Sequence, residues 1–408
     1  MNLAVLRRVA TWVGPEGLLL LVAVVFIRLD GLAAERAAAA RMVPYIVLGA
    51  GVMLGWRFQR SRLLFSLLLL ALADRALAAV APIGQELRGR LVFQAVAFLL
   101  PLSLAALSFL AERGTLTRAG VLRLAAVGAQ VALVVALDRY AREPTVTALE
   151  WVFFPERLLA WTEIGQPALL AFAVAFALML LVAVTQAGPT ARGFLWALVA
   201  TFLALRTSRV GPETTLYFST AALVLIVAMV EASYVMAYQD GLTALPSRRA
   251  LGEALLRLAG RYAVAMVDVD HFKRLNDTYG HDVGDQVLRM IAAKLARAPG
   301  GGRAFRYGGE EFAVLFPGRG ADEVVPDLDA LRRDIADSVF TIRGRIRTRR
   351  KRTIPRLPSG RPRKRVTVTV SMGVAERAGR IDTPDAVIQA ADQALYRAKE
   401  AGRNRVKL

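Results

Sequence analysis

Residues 1–236 are a succession of apolar blocks, and this limits what the chain can fold into more than any other feature. A bilayer core of about 30 Å is crossed by about 20 apolar residues of helix. Five blocks of that kind lie at 63–81, 91–110, 121–137, 165–187 and 215–235, and three weaker ones at 10–27, 42–56 and 193–206. The expectation is a transmembrane region over 1–236 of about eight helices, or six or seven if the short ones are re-entrant. The first block contains Pro15 and Glu16 and is not followed by a small-residue cleavage site, so no cleavable signal peptide is expected. Glu16, Asp74, Arg75 and Gln94 lie within or beside the blocks. Charges in such places are functional candidates by default, although Asp74 and Arg75 can equally neutralise each other or snorkel. The connection 138–164 carries Trp151, Phe153, Phe154 and Trp161 among charged residues, which suits an interfacial aromatic belt or part of a ligand site.

Charge is unevenly distributed. The net charge is +20, of which residues 1–239 hold 20 Arg, no Lys and 13 acids, a net of +7. Residues 240–408 hold 33 basic and 20 acidic side chains, and 12 of the basic ones fall in 343–365, a stretch with no acid. Without that stretch the C-terminal part is near neutral, so the basic balance does not describe a uniformly nucleic-acid-like surface. Cys is absent and His occurs twice, which excludes disulfides, thiol chemistry and thiolate metal sites and leaves little for a His-built zinc site. Arginine is spread over both sets of loops, so the positive-inside rule does not orient the spans.

The last apolar block runs without Gly or Pro over 215–239 and stops at Asp240-Gly241, leaving no room for a sensory domain or a long coiled coil before the next unit. From there the pattern alternates. Helices are expected over 247–260, 282–297, 321–337 and 384–401, and strands over 263–269, 303–307, 312–316 and 366–374. The middle two strands flank a Gly-Gly turn, a hairpin signal. A sheet with helices on one face, of α+β type, fits this order.

Two sets of carboxylates stand out. Asp268-Val269-Asp270 ends an apolar strand, and Glu310-Glu311 follows Gly308-Gly309 in the hairpin turn. Glycines let backbone approach a bulky ligand closely. Carboxylates on neighbouring strands make an all-oxygen site of the kind that suits Mg²⁺, which keeps water and phosphate oxygens in its shell. Lys399 and Arg403, at i and i+4, offer cations to phosphate. Taken singly, each of these is more often a turn or a solvated pair.

Together they resemble a known family. Residues 240–250 (DGLTALPSRRA), 266–285 (MVDVDHFKRLNDTYGHDVGD), 306–312 (RYGGEEF), 368–375 (VTVSMGVA) and 391–406 (ADQALYRAKEAGRNRV) are similar, in this order, to the motifs of the GGDEF domain of diguanylate cyclases. Ala244 and Ser247 stand where Gly and Asn are usual, and Glu310 stands where the family name has Asp. The resemblance covers 237–408, carries the insertion 343–365, and implies a palm-like βααββαβ fold of the nucleotide cyclase type.

The resemblance also implies an activity, the condensation of two GTP to cyclic di-GMP with release of pyrophosphate. It implies Mg²⁺, two per active site, with Mn²⁺ able to substitute. The metal would be held by Asp268 and Glu311 with the Val269 carbonyl, and Glu310 would be a further ligand or the base for the ribose 3′-hydroxyl. Asn276 and Asp285 would read guanine, with His281 nearby. The backbone of His271, Phe272 and Lys273, with Lys399 and Arg403, would cradle phosphate. One GTP per domain implies a homodimer, and the product implies downstream cyclic di-GMP receptors. GTP is cytoplasmic, which places the catalytic domain in the cytoplasm and the protein in the bacterial inner (cytoplasmic) membrane as a multi-pass protein.

The alternative is a catalytically inactive GGDEF effector that binds nucleotide and signals by contact. Retention of Asp268, Gly308, Gly309, Glu310 and Glu311 favours the enzyme. A transporter with a regulatory tail is the weakest reading, since no internal repeat supports it. The insertion 343–365, with four Pro or Gly breakers between 355 and 362, reads as a solvated loop or a contact to anionic membrane lipid. Nucleic acid is a poor fit because no aromatic residues interleave its charges. Many GGDEF domains carry an inhibitory Arg-x-x-Asp upstream of the Gly-Gly turn. Here the two positions are Pro299 and Gly302, so no such inhibitory site is expected.

Overall fold

The computed structural model describes residues 3–80, 86–155, 157, 159, 161–186, 188–207, 211–341, 365–379 and 381–408. The insertion at 343–365 falls outside them except for Arg365. The chain divides into two compact units, Met1–Ser233 and Tyr234–Leu408.

The first unit is helical. Its elements are α1 (Leu3–Arg28), α2 (Ala33–Arg57), α3 (Ser61–Val80), α4 (Leu87–Phe109), α5 (Arg118–Tyr140), α6 (Arg142–Leu149), α7 (Gln166–Gln186), α8 (Pro189–Arg206) and α9 (Pro212–Tyr238). A helix stands at each of the eight apolar blocks, and the short α6 lies in the connection after α5. Among the described residues six helices, α2, α3, α4, α5, α7 and α9, are long and apolar enough to cross a membrane. α8 has 18 residues and Arg at both its fourth and its last position, yet it is deeply packed. Ala197, Ala200 and Ala204 are almost wholly buried, and a Cβ added to Gly193 would lie 2.3 Å from Ala228 Cβ of α9. Small residues bring these two helices close, as in membrane bundles.

The polar residues in this unit are mostly paired. Asp74 takes a hydrogen bond from Thr215 Oγ1 at 2.7 Å and pairs with Arg75. Gln94 donates to the Glu163 carbonyl at 3.0 Å and accepts from Gly165 N–H at 2.8 Å, which clasps the 163–165 loop to α4. Trp151, Phe153, Phe154 and Trp161 are exposed.

The second unit is built on a five-stranded sheet. Its helices are α10 (Arg248–Leu256), α11 (Phe272–Tyr279), α12 (His281–Leu295), α13 (Ala321–Ala336) and α14 (Pro384–Glu400). Its strands are β1 (Tyr262–Val269), β2 (Arg303–Arg306), β3 (Glu311–Pro317), β4 (Phe340–Thr341), β5 (Arg365–Val366), β6 (Val370–Glu376) and β7 (Val406–Lys407). The sheet order is β2-β3-β1-β6-β7, antiparallel except for β6 with β7, and β4 pairs with β5 apart from it. The order β1-α11-α12-β2-β3-α13-β6 is the expected βααββαβ.

Three details differ from the sequence reading. Helices cover both faces of the sheet. Ala263, Ala265, Val267 and Val269 pack with α12 and α13, while Tyr262, Val264 and Met266 pack with α10 and α14. The reason is visible in β1, whose eight residues are all buried, as a central strand covered on both sides must be. The strand expected over 366–374 is broken: Val366 belongs to the β4–β5 ladder and β6 starts at Val370. Between them the Thr369 carbonyl accepts from Asp270 N–H at 2.9 Å, beyond the end of β1. Finally, residues 272–279 form the short α11, which apolar periodicity did not show.

Candidate active site

β1 and β3 are antiparallel, and their register sets Asp268 directly opposite Glu311. Directly opposed residues share a face with Cβ atoms about 4.5–5.5 Å apart. Two carboxylates are thereby fixed side by side at the end of the sheet. Glu311 is held by its turn, since its carbonyl accepts from Tyr307 N–H at 2.9 Å and Gly308 N–H at 3.1 Å. A Cβ on Gly308 would stand 2.8 Å from Glu311 Oε2, so a side chain there would push this carboxylate aside. A Cβ on Gly309 would meet nothing within 4 Å, which leaves that side of the turn open to a ligand.

Lys399 of α14 completes the group, its Nζ 2.9 Å from Asp268 Oδ2. Burial pushes the Asp268 carboxyl above its ordinary range, and this outweighs the opposing pull of Lys399 and Arg403. Burial also pushes the Glu310 carboxyl up, with the charge of Asp268 adding to it and Lys399 opposing. The site therefore holds more negative charge than its lysine offsets. Among the described residues no three His, Asp or Glu side chains are gathered closely enough to hold a metal alone. Asp268 and Glu311, with under-compensated charge, fit a divalent ion that draws most of its shell from water and phosphate.

Asp270, two residues on, does something different. It is buried, and its carboxylate accepts from Ser371 Oγ at 2.7 Å, Thr369 Oγ1 at 2.7 Å and Asn404 N–H at 3.1 Å. Asn404 and its neighbours Arg403 and Gly402 all have positive φ. Asp270 thus anchors the left-handed turn that follows α14 and carries Arg403. The DxD spacing suggested one ligand set, whereas the structure separates Asp268, which faces the site, from Asp270, which builds it. The signal for Asp270 lies about 100 residues away in Thr369 and Ser371 and is not local.

Arg306 is a second residue that the sequence reading did not single out. Its guanidinium donates to the carbonyls of Gly308 at 3.1 Å and Gly309 at 2.6 Å, and to Asp240 Oδ1 at 2.6 Å. Asp240 also accepts from Thr243 N–H at 2.8 Å and Thr243 Oγ1 at 2.7 Å. Burial acts upward on the Asp240 carboxyl, but the bonds from Arg306 and Thr243 outweigh it and hold the carboxyl below its usual range. The segment directly after α9 is thereby tied to the turn that carries Glu310 and Glu311.

A second group forms where α11 meets α12. A Cβ on Gly284 would lie 1.9 Å from Asn276 Oδ1, so the Asn276 amide rests against Gly284, next to Asp285. Asn276 Oδ1 is buried without a hydrogen-bond partner. Asp285, half-buried, follows Gly284 on α12. His271 precedes α11 with φ +56°, leaving the first N–H groups of that helix at its open end. The Phe272 side chain belongs to the core, so only its backbone is on offer. His271, Lys273 and His281 are exposed.

The second unit thus sets strand-end carboxylates beside a lysine on a mixed sheet, next to a helix pair that carries Asn276 and Asp285. Residues 237–405 match the family described as "Diguanylate cyclase, GGDEF domain". A GGDEF domain therefore occupies this part of the chain, and the match does not extend into the helical unit. Over 182 residues the chain is 35% identical to the response regulator PleD of Caulobacter vibrioides, covering 42% of this chain and 36% of that protein. Over 180 residues it is 37% identical to the diguanylate cyclase DgcP of Pseudomonas aeruginosa, covering 42% of this chain and 24% of that one. The chain thus spans well under half the length of these relatives. Among solved structures, the GGDEF domain of DgcB from Caulobacter crescentus in complex with c-di-GMP is 35% identical, covers 42% of this chain and 92% of that chain, and gives a TM-score of 0.36.

Proposed function

We propose that this protein is a membrane-bound diguanylate cyclase that condenses two GTP to cyclic di-GMP and two pyrophosphates under control of its helical unit. The observation that carries the reading is the register pair Asp268–Glu311 beside Lys399. It is a paired carboxylate with an adjacent cation, as phosphoryl transfer to a hydroxyl requires.

Asp268 and Glu311, with the Val269 carbonyl, would hold Mg²⁺, or Mn²⁺ in its place. The bound ion would neutralise charge on the transferring phosphate and the leaving pyrophosphate. Asp285, with Asn276 beside it, would read the N1–H and N2–H₂ groups of guanine, a donor edge that adenine lacks. Lys399, Arg403 and the open amides after His271 bind phosphate oxygens. Glu310, its carboxyl pushed up by burial and by Asp268, takes the proton from the ribose 3′-hydroxyl. The 3′-oxygen forms a bond to the α-phosphorus of a GTP on a second copy, and the bond from that phosphorus to pyrophosphate breaks. The six apolar helices suggest membrane insertion, and the GTP supply places the catalytic unit in the cytoplasm.

The test is pyrophosphate release from GTP by the full chain in detergent or vesicles, with Mg²⁺ and without it. Metal-dependent release is expected, with Asp268→Ala and Glu311→Ala each lowering turnover by about 100-fold or more while the fold is kept. A protein that binds GTP but releases no pyrophosphate would instead be a contact-signalling effector.

A further inference from the structure

Among the described residues of the helical unit, one carboxylate is buried without a hydrogen-bond partner. Glu16 of α1 is wholly buried, and neither of its oxygens makes a hydrogen bond of ordinary geometry. Among the described residues the cation facing it is Arg192 of α8, with Nη2 3.6 Å from Glu16 Oε1. That same nitrogen is 2.8 Å from Glu231 Oε2 of α9. These two are the charged groups that face Glu16 from α8 and α9. The nearby Arg60, Arg62 and Glu112 line a separate pocket with Thr190 and Ala232.

The place for Glu16 is built by a break in α1. Gly14 has φ +53° and ψ −175°, and Pro15 follows it. A Cβ on Gly14 would lie 2.3 Å from Glu16 Oε2, so the carboxylate folds back over backbone where only glycine leaves room. Trp196, one helical turn beyond Arg192, walls the other side, since a Cβ on Gly17 would stand 2.9 Å from its indole ring.

One guanidinium cannot neutralise two carboxylates, and an ionised carboxylate without hydrogen bonds is too costly to bury. The set Glu16–Arg192–Glu231 carries one excess negative charge. A metal ion is a poor remedy, because the guanidinium already stands between the carboxylates. A proton removes the excess and lets Glu16 stay buried.

We propose that Glu16, Arg192 and Glu231 form a proton-binding site within the helical unit, in which Glu16 carries the proton in the packed arrangement and, once ionised, competes with Glu231 for Arg192. Protonation leaves the Arg192–Glu231 pair free of competition from Glu16 and so holds α8 and α9 together. Ionisation divides the guanidinium between α1 and α9 and leaves oxygens that only water can satisfy. Glu231 lies two turns before the end of α9 at Tyr238, so the change falls on the helix that leads into the catalytic unit.

The test does not depend on cyclase activity. Infrared difference spectra of the full chain in lipid vesicles, taken across a pH series, should show a protonated carboxyl band that disappears as pH rises. Glu16→Gln should abolish this band while thermal stability is kept, because the amide is isosteric and uncharged. Glu231→Gln should keep the band but move its disappearance to lower pH by a unit or more, on the order of a tenfold change in proton affinity, because Glu231 then no longer competes with Glu16 for Arg192. A titrating band unchanged in Glu16→Gln would overturn the proposal. So would a band that is indifferent to pH but shifts with added Na⁺ or K⁺, or one whose pH dependence is the same with and without Glu231.

Discussion

At the scale of single residues, the proposed function divides the carboxylates of the second unit between stability and chemistry. Asp270 belongs to the first kind. Its three hydrogen bonds tie the end of β1 to Thr369, Ser371 and the turn at Asn404. Asp270→Ala strands two hydroxyls and an N–H and should lower the stability of the unit by about 2–4 kcal/mol, read as a fall in the urea midpoint. Glu310 belongs to the second kind. A carboxyl pushed up by burial and by Asp268 is one whose ionised form the fold disfavours. Its contribution to stability is present below the ordinary carboxylate range, about pH 4.3, and is lost as pH rises through the raised value. In metal-free buffer Glu310→Gln should therefore melt higher than the wild type at pH 7–8 and level with it in acid, while turnover falls. A wild type that is the more stable of the two at neutral pH would contradict this. The motif spacing made Asp268, Glu310 and Glu311 legible as candidates because each stands at a strand end or a turn that local pattern marks. It said nothing of Asp270's task, since Thr369 and Ser371 reach it only through the β1–β6 pairing.

At the scale of elements, the same contrast separates what local pattern reveals from what pairing decides. β1, β3, α12, α13 and α14 were readable because each has a long apolar run or a full helical stripe. α11 was not, because its eight residues, FKRLNDTY, bury only Phe272 and Leu275 and its start depends on the left-handed His271. The break before β6 was hidden because 366–374 alternates well enough to pass for one strand, and only the pairing of Val366 with Phe340 of β4, rather than with β1, separates the two pieces. The tie from Asp240 through Arg306 to the Gly308-Gly309 turn joins segments 66 residues apart, and under the proposed function it would couple that turn to the segment after α9. Arg306→Ala frees two turn carbonyls and leaves Asp240 without its cation. Turnover should fall roughly 10- to 100-fold, the range for slight misplacement of reacting groups, with GTP binding little changed. The lowered Asp240 carboxyl gives this variant a second signature. Its stabilisation is present above the ordinary range, about pH 4, and is lost as pH falls through the lowered value. The acid-unfolding midpoint of Arg306→Ala should accordingly lie at higher pH than that of the wild type.

At the scale of the whole molecule, one chain supplies half of what the proposed reaction needs. Each catalytic unit has one Asp268–Glu311 pair, one Lys399 and one helix pair with Asn276 and Asp285, enough for a single GTP. Two phosphodiester bonds must form, and each joins the 3′-oxygen of one nucleotide to the α-phosphorus of the other. The reading therefore requires two chains face to face, with each unit responsible for the bond at the α-phosphate it holds. This division of labour can be tested with a hybrid dimer of one wild-type chain and one Glu311→Ala chain, purified through two different affinity tags. The intact unit can form the first bond, but the second would have to form at the unit that has lost its metal carboxylate. The hybrid should accumulate the linear dinucleotide pppGpG with one pyrophosphate per product, and cyclic di-GMP should fall about 100-fold or more, as it does in the doubly substituted dimer. A hybrid that makes cyclic di-GMP at half the wild-type rate, without the linear intermediate, would show that one unit can close both bonds and that facing pairs are not the catalytic assembly.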